Sequence, residues 1–239
     1  MPTFPAILIT GASRRLGRSM AMRLVKEGYA VALHYHSSEA DAQQVKRDIE
    51  SEGGVCELFR ADLSQREACI GLIEDVYRCF PGFCGVINNA SIFNERSLLD
   101  TDETALNAYL GIHVAAPFWL TQHFARMVKT GNIINLLDTD IRNHSERFFT
   151  YILSKRMLAE LTSMSARALA PAIRVNAIAP GKVLPSVECD EAYLAQKRAQ
   201  LPMKSLPTPA DIADAVVLLL NTPYLIGHTL FIDGGERLL

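Results

Sequence analysis

The chain has 239 residues, 49% of them hydrophobic and 21% charged, with a formal net charge of -2. That length supports one α/β domain with a large core, and the charge balance excludes a nucleic-acid-binding surface or an extended charged tail, so any basic site must be local. Five cysteines (Cys56, Cys69, Cys79, Cys84 and Cys189) show neither a CxxC pair nor Cys/His ligand spacing, which argues for reduced thiols and against both a disulfide framework and a metal site.

Short apolar, β-branched runs recur at 7–10, 30–35, 55–59, 85–89, 132–137, 174–178 and 229–232. Segments of helical spacing separate them: Leu16, Met20 and Leu24 repeat one face in the first, and Ile212, Val216 and Leu220 in the last. The alternation predicts one doubly wound, Rossmann-type α/β domain over 1–239, with a parallel seven-stranded sheet, helices on both faces and ligands beyond the carboxyl ends of the strands. The Pro-rich stretch 180–209 reads as irregular, with a substrate flap at 181–208. No apolar stretch approaches the roughly 20 residues of a membrane span, and the N-terminus has no basic segment followed by a long apolar one, so a cytoplasmic protein with no membrane partner is expected.

The first functional signal is TGASRRLG, residues 10–17, between the first strand and the first helix. Backbone amides and the positive end of the helix dipole converge there on a phosphate-sized place. Gly11 allows the tight turn, and Gly17 allows the helix to pack close to ligand or sheet. After the second strand, where a carboxylate would bind the ribose hydroxyls of NAD, stand His34, Tyr35, His36, Ser37 and Ser38, with no carboxylate before Glu39. With Arg14 and Arg15, these donors suit the 2′-phosphate of NADP. In the alternative, the arginines are solvated helix-start residues and the histidines alternate along a strand edge. Asp62, in RADLS, either bonds the adenine amine or caps its own loop.

Tyr151 and Lys155, in YILSK, lie four residues apart and share a helix face. A nearby cation favours phenolate, which would bring the tyrosine down from a pKa of about 10 and let Tyr151 pass a proton to a substrate as hydride arrives. A YxxxK pattern alone is common by chance.

TGASRRLG, NNAS at 88–91, Tyr151 with Lys155, NAIAPG at 176–181 and DGG at 233–235 stand in the order of the short-chain dehydrogenase/reductase family, which the chain resembles over essentially its whole length. Within that family the arginine-containing loop and LHYHSSEADA are similar to the pteridine reductases and bacterial dihydromonapterin reductases. The resemblance implies NADPH as cofactor. It adds Ser13, Leu16, Leu63, Asn89 and Ala90 to the cofactor contacts, places Ser91 at the phosphates or the pterin, Lys155 at the ribose hydroxyls, and Pro180 and Gly181 against the nicotinamide. It further implies a homotetramer, with interfaces on the apolar faces around 109–120 and 153–169.

Three departures from the wider family shape the expected chemistry. Where most members carry a catalytic serine, thirteen residues before the tyrosine, this chain has Asp138, as pteridine reductases do; Thr139 beside it should point to the opposite side. Protonation of pterin ring nitrogens gives a carboxylic acid work, so Asp138 could orient Tyr151 or relay a proton while binding the amino-pyrimidine edge; otherwise it caps the strand end. Phe93 occupies the place of an aromatic that stacks on the pterin, or else packs in the core. His113 stands where the family has an asparagine that helps a water reach the lysine, and either joins that relay or fills a helix interface. The expected reaction is NADPH-dependent reduction of a dihydropterin, dihydromonapterin or dihydrofolate, catalysed by Asp138, Tyr151 and Lys155 with substrate contacts from Ser91 and Phe93. The rivals are a ketone or 3-oxoacyl-thioester reductase of the same family and a non-catalytic NADP-sensing protein.

Overall fold

The computed structural model describes residues 4–143, 145–183 and 191–239. Seven parallel strands form one sheet in the order β3-β2-β1-β4-β5-β6-β7: β1 (Ala6–Ile9), β2 (Ala30–Tyr35), β3 (Cys56–Arg60), β4 (Phe83–Asn88), β5 (Gly131–Leu136), β6 (Ile173–Pro180) and β7 (Thr229–Ile232). The chain winds outward from β1 to β3, then returns to place β4 on the other side of β1. The crevice at the carboxyl ends of β1 and β4 is therefore the switch point where ligands bind in such sheets.

Side-chain alternation divides the core in two. Ile7, Ile9, Val31 and Leu33 pack with Met20 and Leu24 of α1 (Arg15–Lys26), Val45 and Ile49 of α2 (Glu39–Ser51), and Ile212, Val216 and Leu219 of α8 (Pro209–Asn221). On the opposite face Ala6, Leu8, Val86 and Ile133 meet α3 (Arg66–Cys79), α5 (Ala116–Met127) and α6 (Phe149–Leu169). Strands covered on both faces read as continuous apolar runs, which is why AILI and AVAL stood out. The start of α8 is set by a capping box, in which Thr208 Oγ1 accepts from Asp211 N and Asp211 Oδ2 accepts from Thr208 N at 2.7 Å, with Pro209 opening the first turn.

Two elements differ from expectation. The stretch 180–209 is not irregular throughout: α7 (Glu191–Gln200) lies within it, built from strong helix formers that the prolines at either end obscure. Of the expected flap, 184–190 fall outside the described residues. Its far end is docked: Leu201 is buried, Met203 N donates to Gly234 O at 3.2 Å, and Pro202 lies over Gly235. The second difference is a π-helical turn, Gly111–Ala115, joining α4 (Glu103–Leu110) to α5.

Candidate active site

The loops after β1 and β4 are laced together around Thr10. Its Oγ1 accepts from the backbone N–H groups of Asn89 (2.9 Å) and Ala90 (3.0 Å), while Asn89 Nδ2 donates to Thr10 O (2.8 Å) and Gly11 O (3.0 Å). Gly11 has φ +63°, and a Cβ there would stand 3.0 Å from Ala90 Cα. A Cβ at Gly17 would come within 2.6 Å of Ala12 Cα and Gly11 O, so the close approach that needs this glycine is between the start of α1 and its own preceding loop. Sequence reasoning missed Thr10 and the supporting role of Asn89, because both act through partners about eighty residues distant.

Beyond β1 and β2, Arg14 stands at the N-cap position of α1 without a side-chain capping bond, and its Nε donates to Asp41 Oδ2 at 2.7 Å on α2. This places the guanidinium beside the loop of His36, Ser37 and Ser38, of which the first two are exposed. Arg15 is exposed and adopts φ +51°. His34 differs from expectation as a phosphate donor. It is 2% exposed; Nδ1 accepts from Gly11 N–H at 3.1 Å, so Nε2 carries the hydrogen and donates to Ala61 O at 3.1 Å. Burial pushes its pKa down to about 4, so it is a neutral brace under the glycine loop. Tyr35 and Leu63 are likewise buried, one in each of the two core layers. Ser13 is buried and Leu16 partly so. Asp62 Oδ1 accepts from Ser64 N–H at 3.0 Å, and bonds from the Ser64 side chain and backbone hold its carboxyl below the usual range; it caps its own turn.

At the other end of the crevice, Asp138 lies two residues beyond β5, and Tyr151 and Lys155 occupy the first two turns of α6. Tyr151 Oη donates to Asp138 Oδ2 at 2.8 Å, and Asp138 Oδ1 accepts from Asp140 N–H at 2.9 Å. Lys155 Nζ donates to Leu136 O at 2.7 Å and lies 5.8 Å from the centre of the Tyr151 ring; an ammonium has three protons to donate. Burial, reinforced by the charge of Asp140, pushes Asp138 up to about 6. Burial pushes Lys155 down to about 8. The expected low-pKa phenolate is corrected: burial and then the Asp138 charge drive Tyr151 well above its ordinary value. Tyr151 is thus a neutral phenol whose proton points to Asp138.

Phe93 is 44% exposed, which removes the core reading. Its ring stacks on Phe148 with centroids 4.7 Å apart and meets the Tyr151 ring edge-on at 4.8 Å. Ser91 Oγ lies 2.9 Å from His113 Nε2. Thr139 is not in the strand but opens a 3-10 turn after β5, is buried, and donates to Asp233 Oδ2 at 2.9 Å. Asp233 also accepts from the N–H groups of Gly235 and Arg237 and from Arg237 Nη1. This buried carboxylate locks the C-terminal turn under Gly181, where a Cβ would stand 2.8 Å from Asp233 Cα and 3.0 Å from Glu236 Oε2; the DGG motif thereby gains a structural reason.

Residues 11–236 match the family described as "Enoyl-(Acyl carrier protein) reductase". The chain belongs to this branch of the short-chain dehydrogenase/reductase family. It is 30% identical over 238 residues to a dihydromonapterin reductase of Enterobacter sp. (strain 638), covering 97% of this chain and 96% of that one. It is 29% identical over 236 residues to a 3-oxoacyl-[acyl-carrier-protein] reductase FabG of Staphylococcus epidermidis, covering 95% and 97%. Among solved structures, FolM Alternative dihydrofolate reductase 1 from Brucella canis, complexed with NADP, superposes with a TM-score of 0.93 at 29% identity, over 98% of this chain and 94% of that one.

In this short-chain reductase the crevice has two ends, one basic and hydroxyl-bearing at Arg14 to Ser38 and one carrying the hydrogen-bonded titratable groups Asp138, Tyr151 and the nearby Lys155. Among the described residues there is no cluster of three His, Cys, Asp or Glu able to hold a metal ion, and no helix long and apolar enough to cross a membrane. The four cysteines described, Cys56, Cys69, Cys79 and Cys84, are free thiols.

Proposed function

We propose that this protein is an NADPH-dependent reductase of dihydropterins, with dihydromonapterin or dihydrofolate as substrate. The observation that carries the reading is the 2.8 Å bond between Tyr151 and Asp138, beside the exposed Phe93 ring. A carboxyl group raised toward neutrality, next to a phenol and a flat aromatic face, suits a planar heterocycle whose nitrogen must be protonated. The residues present fit the cofactor: glycines 11 and 17 clear the backbone at the crevice, Arg14, Arg15, His36, Ser37 and Ser38 supply donors for a 2′-phosphate, and Lys155 has protons for ribose hydroxyls. Ser13, Leu16, Asn89, Ala90, Ser91, Pro180 and Gly181 complete the proposed cofactor lining. When bound, NADPH supplies the hydride. Tyr151 supplies the proton at the substrate nitrogen, Asp138 returns one to Tyr151 and binds the amino-pyrimidine edge, and Phe93 stacks on the ring.

The dihydromonapterin reductase and FolM relatives support this reading, and the FabG relative favours a second, reduction of a 3-oxoacyl thioester. The deciding experiment follows NADPH oxidation with dihydromonapterin, dihydrofolate and an acetoacetyl thioester side by side, and repeats the best with NADH. Pterin turnover with a strong preference for NADPH is expected. Thioester turnover alone would transfer the assignment to the second reading.

A further inference from the structure

His113 is 1% exposed at the middle of the π-helical turn between α4 and α5. Such turns are rare irregularities that recur where a side chain must be aimed. The ring touches two other parts of the site. Nε2 lies 3.3 Å from Ile92 N and 2.9 Å from Ser91 Oγ, on the loop after β4, and Nδ1 lies 2.7 Å from Ser154 Oγ on α6. A backbone N–H only donates, so Nε2 is the acceptor; in the neutral ring the hydrogen then sits on Nδ1 and is donated to Ser154, whose own hydroxyl donates to Tyr151 O at 2.7 Å. Both nitrogens are committed, and taking up a proton would mean losing the Ile92 bond. Burial and the Lys155 charge oppose that protonation and push the imidazole down to about 2.

One turn earlier on the same face, buried Tyr109 holds the next part of the strip: its Oη accepts from Asn94 N–H at 2.8 Å and donates to Asn94 O at 2.7 Å. The strip is thus pinned at 91–92 by His113 and at 94 by Tyr109. Phe93, between the pins, is the residue left to project against Phe148 and Tyr151.

We infer that Tyr109 and His113 form a two-point clamp that presents Phe93 and Ser91 to the substrate, and that His113 is a neutral positioning residue that carries no proton to or from Lys155. Of the two roles the sequence left open, relay and packing, the hydrogen-bond directions replace both with this one. The inference rests on the proposed reading that Phe93 faces the substrate.

The first test needs no substrate. Nitrogen-15 NMR of the histidine side chains should show His113 as the Nδ1–H tautomer, unchanged between pH 5 and 9; titration in that range, or an Nε2–H tautomer, overturns the inference. The second is kinetic. His113→Gln keeps an acceptor within reach of Ser91 and Ile92, His113→Asn keeps only a donor near Ser154, and Tyr109→Phe removes the other pin. Losing a neutral hydrogen bond of this kind is worth roughly a tenfold effect. His113→Asn and Tyr109→Phe should therefore raise the substrate KM roughly tenfold, with kcat and NADPH affinity within about threefold, and His113→Gln should restore most of the loss. A kcat collapse at unchanged KM in His113→Gln, with a lost limb in its pH profile, would identify a proton carrier and end the inference. If the wild type reduces only the thioester, the pterin reading fails, while the NMR result and the KM split measured on the thioester still judge the clamp.

Discussion

The Tyr151 hydroxyl donates to Asp138 Oδ2 at 2.8 Å, although in the proposed reaction its proton is meant for the substrate. The conflict resolves through the charge of the carboxyl group. An ionised Asp138 can only accept, and so holds the phenol proton; a protonated one can donate to Tyr151 Oη and free that proton. Tyr151→Phe removes the donor and should lower turnover by about 10² to 10⁴-fold, the usual contribution of a positioned acid. NADPH affinity, followed by fluorescence titration, should stay within about twofold. Near-normal turnover would end the mechanism.

Because burial holds Asp138 up at about 6, the productive protonated form is lost as pH rises. Turnover should be highest below about pH 6 and fall roughly tenfold per unit above it, and Asp138→Asn, at lower overall activity, should flatten that limb. Stability carries the same sign. A carboxyl raised on folding contributes stability that is fully present below its unfolded pKa, about 4, and is lost as pH rises through about 6. The melting temperature of Asp138→Asn relative to wild type should therefore rise between about pH 4 and 6 and stay level above that. A wild-type rate profile with no break near pH 6 would separate Asp138 from the proton path.

Arg14 is shared between Asp41 and the proposed 2′-phosphate site. A charge-assisted bond to phosphate is worth about 1.5–3 kcal/mol, part of which is offset here by displacing Asp41 from an exposed pair. Arg14→Ala should raise the KM for NADPH by roughly tenfold and leave that for NADH unchanged. Equal losses for both cofactors would assign Arg14 to loop structure instead.

What was legible in the sequence was what depends on local pattern. The buried parallel strands were readable because both of their faces are apolar; Tyr151 and Lys155 share a helix face by spacing, but that pair gained meaning, and Asp138 came into view, only through the order of motifs shared with the family. His34 and His36 looked alike as alternating donors. Only the packing around β2, whose His34 sits opposite Phe59 of β3, separates the buried brace from its exposed neighbour. The π turn at 111–115 has no compositional mark. Thr10, Ser154 and Asp233 act through long-range hydrogen bonds that spacing cannot show.

The homotetramer that the family resemblance implies would use the outside of α5 and α6. Leu153, Met157 and Met164 follow one side of α6 at intervals of four and seven residues, and Phe118 is exposed on α5. Three of these four side chains are already more than half buried, so covering what remains would gain roughly 1 kcal/mol each. Light scattering after size exclusion should give a mass near four times the 26.4 kDa chain. Met157→Lys with Met164→Lys places charges into that face and should reduce the assembly to dimers or monomers with NADPH binding preserved. A wild-type mass of one chain would remove the interface assignment, and an intact tetramer in the double variant would move it to another face.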